Sequence, residues 1–258
     1  MGSLSVILIT KDEEENIRDC LSTVAWADEI VIVDAGSSDA TVATAQEFTQ
    51  KVFVRPWEGY GAAKNFALSQ VSSDWILWLD ADERVSELLK EEIQRTLATG
   101  DNNAVAYSCP RKANFLGRWI LHCGWYPGRV TRLFKRGSAH FTESRVHERL
   151  EVSGEQKDLQ SDLLHYTDPS LDHYFKKFNK YTSLAAEELA DEQRSFRVSQ
   201  ITIRPVWTFV RMYFLKLGFL DGLPGFVLCV LSACYVFAKY AKLWEQTPGR
   251  KSHAEITQ

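Results

Sequence analysis

Cysteine is scarce and unpatterned in this chain. Cys20, Cys109, Cys123, Cys229 and Cys234 form neither a zinc-ligand spacing nor an even set for disulfides, which predicts reduced thiols and a cytoplasmic location. No secretory leader is expected, because a strand-like run begins almost at once after Met1. Gly2 raises the question of myristoylation, but that signal needs Ser or Thr where Val6 stands. The first apolar run is not followed by G-x-G-x-x-G, which excludes a Rossmann dehydrogenase. Neither a fixed repeat nor a low-complexity segment is present. Basic charge is not in excess: 30 Lys and Arg against 34 Asp and Glu give −4, which argues against nucleic acid as a partner. Long apolar runs are missing too. The stretch GFVLCVLSACYVFA (225–238) has 14 residues, where a membrane-spanning helix needs about 20. What remains, in 258 residues of which 45% are hydrophobic, is material for one large α/β domain or a domain with an appendage.

Strand and helix patterns alternate over the first hundred or so residues. LSVILIT (4–10), IVIV (30–33), KVFVRPW (51–57) and WILWLDADE (75–83) are short β-rich runs. Between them, Ile17, Leu21 and Val24 fall at helical spacing, a second helix is expected over about 41–49, and a third follows GYG (59–61). This predicts a mostly parallel sheet with helices on both faces. From Asn102 the rhythm breaks into strands that read as antiparallel, followed by a strong helix over 170–194 and an apolar, aromatic tail from Arg204. A boundary near Gln200 divides 1–200 from 201–258.

Ligands of such open sheets bind beyond the carboxyl ends of the strands. Those ends carry Thr10-Lys11-Asp12-Glu13-Glu14, Asp34-Ala35-Gly36-Ser37-Ser38-Asp39 and Asp80-Ala81-Asp82-Glu83. Asp80 and Asp82, one residue apart, can place oxygens around one hard cation, Mg²⁺ or Mn²⁺, which also takes phosphate oxygens from a substrate. A solvated acidic turn that caps the next helix also explains them, and the D-x-D spacing alone does not choose the metal. Asp34 beside a Gly/Ser turn suits either a uracil N3–H or an ordinary set of helix caps. Lys64, near a helix start, can approach a base or phosphate or stay in solvent.

SVILITKDEEENIRDCLSTVAWADEIVIVDAGSSDAT, GYGAAKNFAL and WILWLDADE together resemble the nucleotide-sugar half of family 2 glycosyltransferases with the GT-A fold. FLGRWILHCGWYPGRVTRLFKR, RVHERL, LLHYT and GFLDGLPGFVLCVLSACYVFAKYAKLWE are similar to the bacterial lipopolysaccharide inner-core glucosyltransferases, over about residues 4–245. One departure is Asp12, where the family pattern reads Asn. The resemblance implies an inverting transfer of a hexose, glucose from UDP-glucose, to a heptose of the lipopolysaccharide core. Alternatives are another nucleotide sugar, a polyprenyl-linked acceptor or a non-catalytic sugar-binding scaffold. It implies Thr10, Glu13, Asp34, Lys64, Asp80 and Asp82 for the nucleotide sugar. Asp82 and Asp80 would hold the metal, with His165 as a further ligand. Glu148 is the expected general base, with Glu143 next and His147 after it. Trp119, Trp125 and Tyr126 are expected as a sugar platform or core, and Arg111, Arg129 and Arg132 as partners of acceptor phosphates.

Between Arg204 and Lys251 stand seven basic residues and two acidic ones, interleaved with Trp207, Phe209, Tyr213 and Phe214. A basic, aromatic segment suits the anionic cytoplasmic leaflet of the inner membrane, which a lipid-linked acceptor requires. The expected tail is therefore a helical, membrane-surface extension, interfacial or re-entrant. The plain alternative is a helical subdomain packed on the rest.

Overall fold

The computed structural model describes residues 2–99, 104–142 and 149–246. In chain order the elements are β1 (Leu4–Thr10), α1 (Ile17–Ser22), β2 (Glu29–Asp34), α2 (Thr41–Gln46), β3 (Val52–Val54), α3 (Tyr60–Gln70), β4 (Trp75–Asp80), β5 (Glu83–Val85), α4 (Glu87–Thr99), β6 (Ala104–Phe115), β7 (Arg118–Ile120), β8 (Gly128–Lys135), β9 (Ala139–Phe141), β10 (Leu150–Val152), β11 (Glu155–Asp158), β12 (Leu163–Asp168), α5 (Leu171–Asp191), α6 (Ser199–Val210) and α7 (Gly222–Glu245). A π turn (Arg211–Leu215) and a 3₁₀ turn (Gly218–Asp221) join α6 to α7.

The β1 run is continuous because both its faces are covered. Leu4, Val6 and Leu8 point into one core with Ile32, Leu77 and Leu79. Ile7 points into the other with Val31, Val33 and Ile76. Burial on both faces removes the polar alternation that a half-exposed strand would show. The sheet runs β3-β2-β1-β4-β8-β6-β12-β5, with β7 and β11 both pairing β6, and β9 and β10 make a separate pair. β1 is central and parallel to β2 and β4, and the registers Thr10↔Asp34 and Ile9↔Asp80 bring three carboxyl ends level. The later strands turn antiparallel at β4–β8, β6–β8 and β5–β12, as the change of rhythm predicts. α4 earns its place through Leu89, Ile93 and Leu97, buried at four-residue spacing.

The chain forms two compact units, Met1–Lys112 with Pro127–Tyr166, and Ala113–Tyr126 with Thr167–Gln258. The β6–β7 turn and α5 belong with the tail in the second unit. In the second unit Phe115, Ile120, Cys123, Leu228 and Cys229 make the core. The α6–α7 pair is an antiparallel hairpin: Arg204 donates to the Tyr240 hydroxyl, while Phe209 and Tyr213 meet Phe226 at 5.9 and 5.6 Å. Asp221, buried at 2% exposure, accepts from the Leu121 and His122 amides and sits 2.9 Å from His122 Nδ1. Its polar atoms are thus satisfied inside the unit.

The tail helix is longer than the apolar run that announced it. α7 has 24 residues. Gly218–Glu245 is the one helical stretch among the described residues long and apolar enough to cross a membrane. Pro224 falls in the first turn, where its missing N–H has no partner to lose. The helix then continues past Lys239 and Lys242, which end an apolar run without ending a helix.

Candidate functional site

The first strand end is built around Asp34, which is fully buried. One carboxylate oxygen accepts from the Gly36 and Ser37 amides, at 2.9 and 2.7 Å. The other accepts from the Thr10 and Ser37 hydroxyls, at 2.9 and 2.5 Å. Two carboxylate oxygens offer about four acceptor sites, so protein donors occupy this group. Thr10 and Asp34 thus meet at this turn and shape it. Asp12 takes φ +52, a left-handed backbone that Asn and Asp tolerate better than most residues. It accepts from the Ser38 amide at 2.8 Å, and that bond holds its carboxyl below the usual range. Glu13 lies where α1 begins: its amide donates to the Thr41 hydroxyl at 2.7 Å and its carboxylate accepts from Asn16 at 3.0 Å. Beside this turn a shallow cleft is lined by Ile9, Val33, Asp34, Arg55, Trp57 and Ala63. Trp57, 48% exposed, gives it an aromatic wall that the sequence reading did not single out.

The three acids that end β4 have different environments. The Glu83 side chain is fully buried, and its oxygens accept from the Asp80 amide at 3.1 Å and from Arg132 Nη2 at 2.6 Å. The same guanidinium nitrogen reaches Asp80 at 2.7 Å and the Arg132 side chain is only 3% exposed. Arg111 approaches Glu83 at 3.6 Å. Burial pushes the Glu83 carboxyl up, against the pull of Arg132. Burial alone would depress Arg132, but Glu83 and Asp80 more than reverse that and hold it charged. Arg132 is thus taken by buried Glu83 and half-exposed Asp80, which corrects the reading of it as a partner for acceptor phosphates. Arg129 is likewise turned to Asp158 and the Leu159 carbonyl.

Asp82 occupies the tight turn between β4 and β5. β12 pairs antiparallel with β5 at His165↔Glu83, and the Tyr166 amide donates to the Asp82 carbonyl at 2.9 Å. This register brings His165 Nε2 to 3.3 Å from Asp82 Oδ2. Two ligands at right angles on a cation, each about 2.1 Å from it, lie about 3 Å apart, so the pair fits a divalent ion. No three such groups gather around one point among the described residues. An oxygen and a nitrogen donor suit an ion that completes its shell with waters and phosphate oxygens. Asp80, held by Arg132, stands one turn away.

Lys64 is 5% exposed. Its ammonium lies 4.2 Å from the Trp78 ring centre and 5.2 Å from that of Phe141, inside an aromatic wall. Trp78 also carries Arg132 at 3.5 Å. Trp125 packs on Phe115 at 6.2 Å in the second unit, where it serves as core. Glu148, Glu143 and His147 lie outside the described residues. The Arg132–Glu83 pair escaped sequence reasoning because its members are far apart in the chain.

Residues 5–147 match the family described as Glycosyl transferase family 2. The chain is 31% identical to the lipopolysaccharide core biosynthesis glycosyltransferase LpsC of Rhizobium meliloti, over 94% of this chain and 92% of that one. It is 30% identical to an uncharacterized glycosyltransferase of Rickettsia felis, over 95% and 90%. Among solved structures it is similar to the mannosyltransferase PcManGT of Pyrobaculum calidifontis in complex with GDP-Man and Mn²⁺, with TM-score 0.55 at 13% identity over 95% of this chain and 88% of that one. That likeness is one of fold, and the fold is GT-A.

Proposed function

Since the chain belongs to glycosyl transferase family 2 and is a glycosyltransferase, we propose that it moves glucose from UDP-glucose to a heptose of the lipopolysaccharide core, with inversion. The observation that carries this reading is the Asp82–His165 pair, 3.3 Å apart, at the same sheet edge as the Thr10–Asp34 turn. LpsC, named for lipopolysaccharide core biosynthesis, supports the acceptor class.

Asp34 keeps the Gly36–Ser37 turn closed, so that Thr10, Glu13 and the cleft beside Trp57 receive the base and ribose. Asp82 and His165, with Asp80 nearby, would hold Mg²⁺ or Mn²⁺, as the solved mannosyltransferase holds Mn²⁺. Such an ion, when bound, neutralises the diphosphate leaving group. Arg132 bridges Glu83 and Asp80 and lowers their mutual repulsion, which keeps Asp80 in place. Lys64, close to the Trp78 ring, adds positive charge on the side of the site where the diphosphate leaves. Glu148 takes the acceptor hydroxyl's proton as the oxygen attacks the anomeric carbon, with Glu143 as the second choice. Residues 201–258 act as a membrane-associating extension on the cytoplasmic face, which keeps the enzyme beside a lipid-linked acceptor.

UDP release by the purified protein tests this, with UDP-glucose and heptose-bearing lipid A core, in Mn²⁺ or Mg²⁺ and in EDTA. Release that needs both acceptor and metal is expected. Release only from another sugar nucleotide, such as GDP-mannose, would keep the enzyme class and overturn the donor.

A further inference from the structure

The second unit holds a cavity of about 460 Å³ at the base of the α6–α7 hairpin. Arg194, Arg197, Arg204, Ser195, Ser199 and Tyr240 line it, and among the described residues no carboxylate does. We propose that this cavity binds the phosphate of a membrane lipid's head group.

The chemistry of the lining points to a phosphate. Three arginines line one space, and guanidinium matches phosphate oxygens with paired, charge-assisted hydrogen bonds. Arg204 is held in place by the Tyr240 hydroxyl and by the Tyr240 ring at 5.1 Å. Arg194 Nε meets Glu192 at 3.2 Å, a pair whose members are both more than half exposed. Arg197 uses its backbone amide, which donates to Gln200 Oε1 at 2.8 Å, and its guanidinium has no hydrogen-bond or ion-pair partner among the described residues. The Gln200 amide group and the Ser195 and Ser199 hydroxyls add neutral donors.

The hairpin's charge distribution points to a lipid as the source. From Gly222 to Ala238 the sequence has no charged residue. Along this stretch and the connection before it, Phe214, Leu220 and Leu223 are 54%, 50% and 73% exposed. Trp207 on α6 is 54% exposed. Charge returns at the base, in Lys239 and Lys242 on α7 and in the three arginines of the cavity. Tyr240 lies 18 residues from Gly222, about 27 Å along the helix at about 1.5 Å per residue. That is close to the roughly 30 Å of a bilayer's hydrocarbon layer. With the apolar stretch among acyl chains, the base lies at the level of lipid phosphates. This assignment of the ligand rests on the membrane reading given above, whereas the phosphate chemistry of the cavity does not.

Two measurements on the full chain test it. The first titrates the protein with sn-glycerol 3-phosphate and inorganic phosphate by calorimetry. The second measures co-sedimentation with phosphatidylcholine vesicles, with and without phosphatidylglycerol. The variant is Arg194→Gln with Arg197→Gln, both exposed side chains. The charge-matched control is Arg211→Gln with Lys216→Gln. The expected result is weaker binding of glycerol phosphate and of anionic vesicles by the cavity variant, about tenfold beyond the control. Equal losses for variant and control would overturn the proposal, because a diffuse basic surface would then explain both. Phosphate binding lost by the variant with vesicle binding unchanged would overturn the lipid as ligand and leave a site for free phosphate esters. If the native protein ignores vesicles altogether, the membrane reading fails, and the calorimetric arm still decides whether the cavity takes phosphate.

Discussion

Asp82 and Glu83 are neighbours in sequence with opposite duties. Asp82 faces His165 across the turn, so Asp82→Ala should lower kcat on the order of 100- to 1,000-fold and leave the melting temperature nearly unchanged. Undiminished UDP release from that variant would remove the metal pair from the mechanism. Glu83 and Arg132 are both buried. Glu83→Leu alone, or Arg132→Met alone, leaves a buried charge unpaired and should cost about 3 kcal/mol in urea unfolding. The two together should cost less than either, because an apolar pair replaces an ionic one. A double variant as unstable as the sum of the singles would contradict that account. Asp12 is set by its backbone: at φ +52, Asp12→Ala should destabilise by about 1 kcal/mol and Asp12→Asn should be neutral in thermal melts. That is also why Asp stands acceptably where the family pattern has Asn.

At the level of elements, the edge between β2 and β3 carries a pH signature. Glu29 on β2 is pulled down to about 2. Burial opposes this, while Lys51, the Ser5 hydroxyl and the Ser72 amide hold the charged form. A carboxyl depressed in the fold contributes stability that is complete above its unfolded value of about 4.3 and is lost as pH falls toward 2. After allowance for the half-exposed Lys51, the loss should be about 2 kcal/mol. Glu29→Gln should flatten the melting curve's dependence on pH between about 5 and 2. Strands such as β1, β2 and β4 were legible in the sequence because burial on both faces writes itself as an unbroken apolar run. β5 was not: three residues of mixed character become a strand only because β12 pairs with them. The end of α7 was hidden for the opposite reason, since lysines stop an apolar run but suit the last turn of a helix. At the site, strand ends and a D-x-D spacing were readable, and His165 was reachable through resemblance. The Glu83–Arg132 pair, 49 residues apart, leaves no local trace.

Taken whole, the molecule carries most of its exposed large apolar side chains on the second unit from Val198 onward, Leu223 foremost, interleaved with Arg204, Arg211 and Lys216. Leu220→Ser with Leu223→Ser should lower partition into phosphatidylglycerol-containing vesicles roughly tenfold or more, given about 1.5–3 kcal/mol for each fully buried leucine. Turnover on a short, soluble acceptor should be unaffected, and unchanged vesicle binding would count against membrane association. The site in the first unit depends instead on alignment. His165 reaches Asp82 through one register of β12 on β5, and strand side chains alternate sides with every step. The length of chain between Asp158 and Leu163 therefore behaves as an odd-or-even counter. A single insertion there that propagates into β12 turns the imidazole to the far side of the sheet and presents a leucine to Asp82. A double insertion restores its side, one pair of rungs out of place. Length variation among enzymes built this way should therefore come in pairs of residues at this joint, and single steps should mark chains that have given up the histidine.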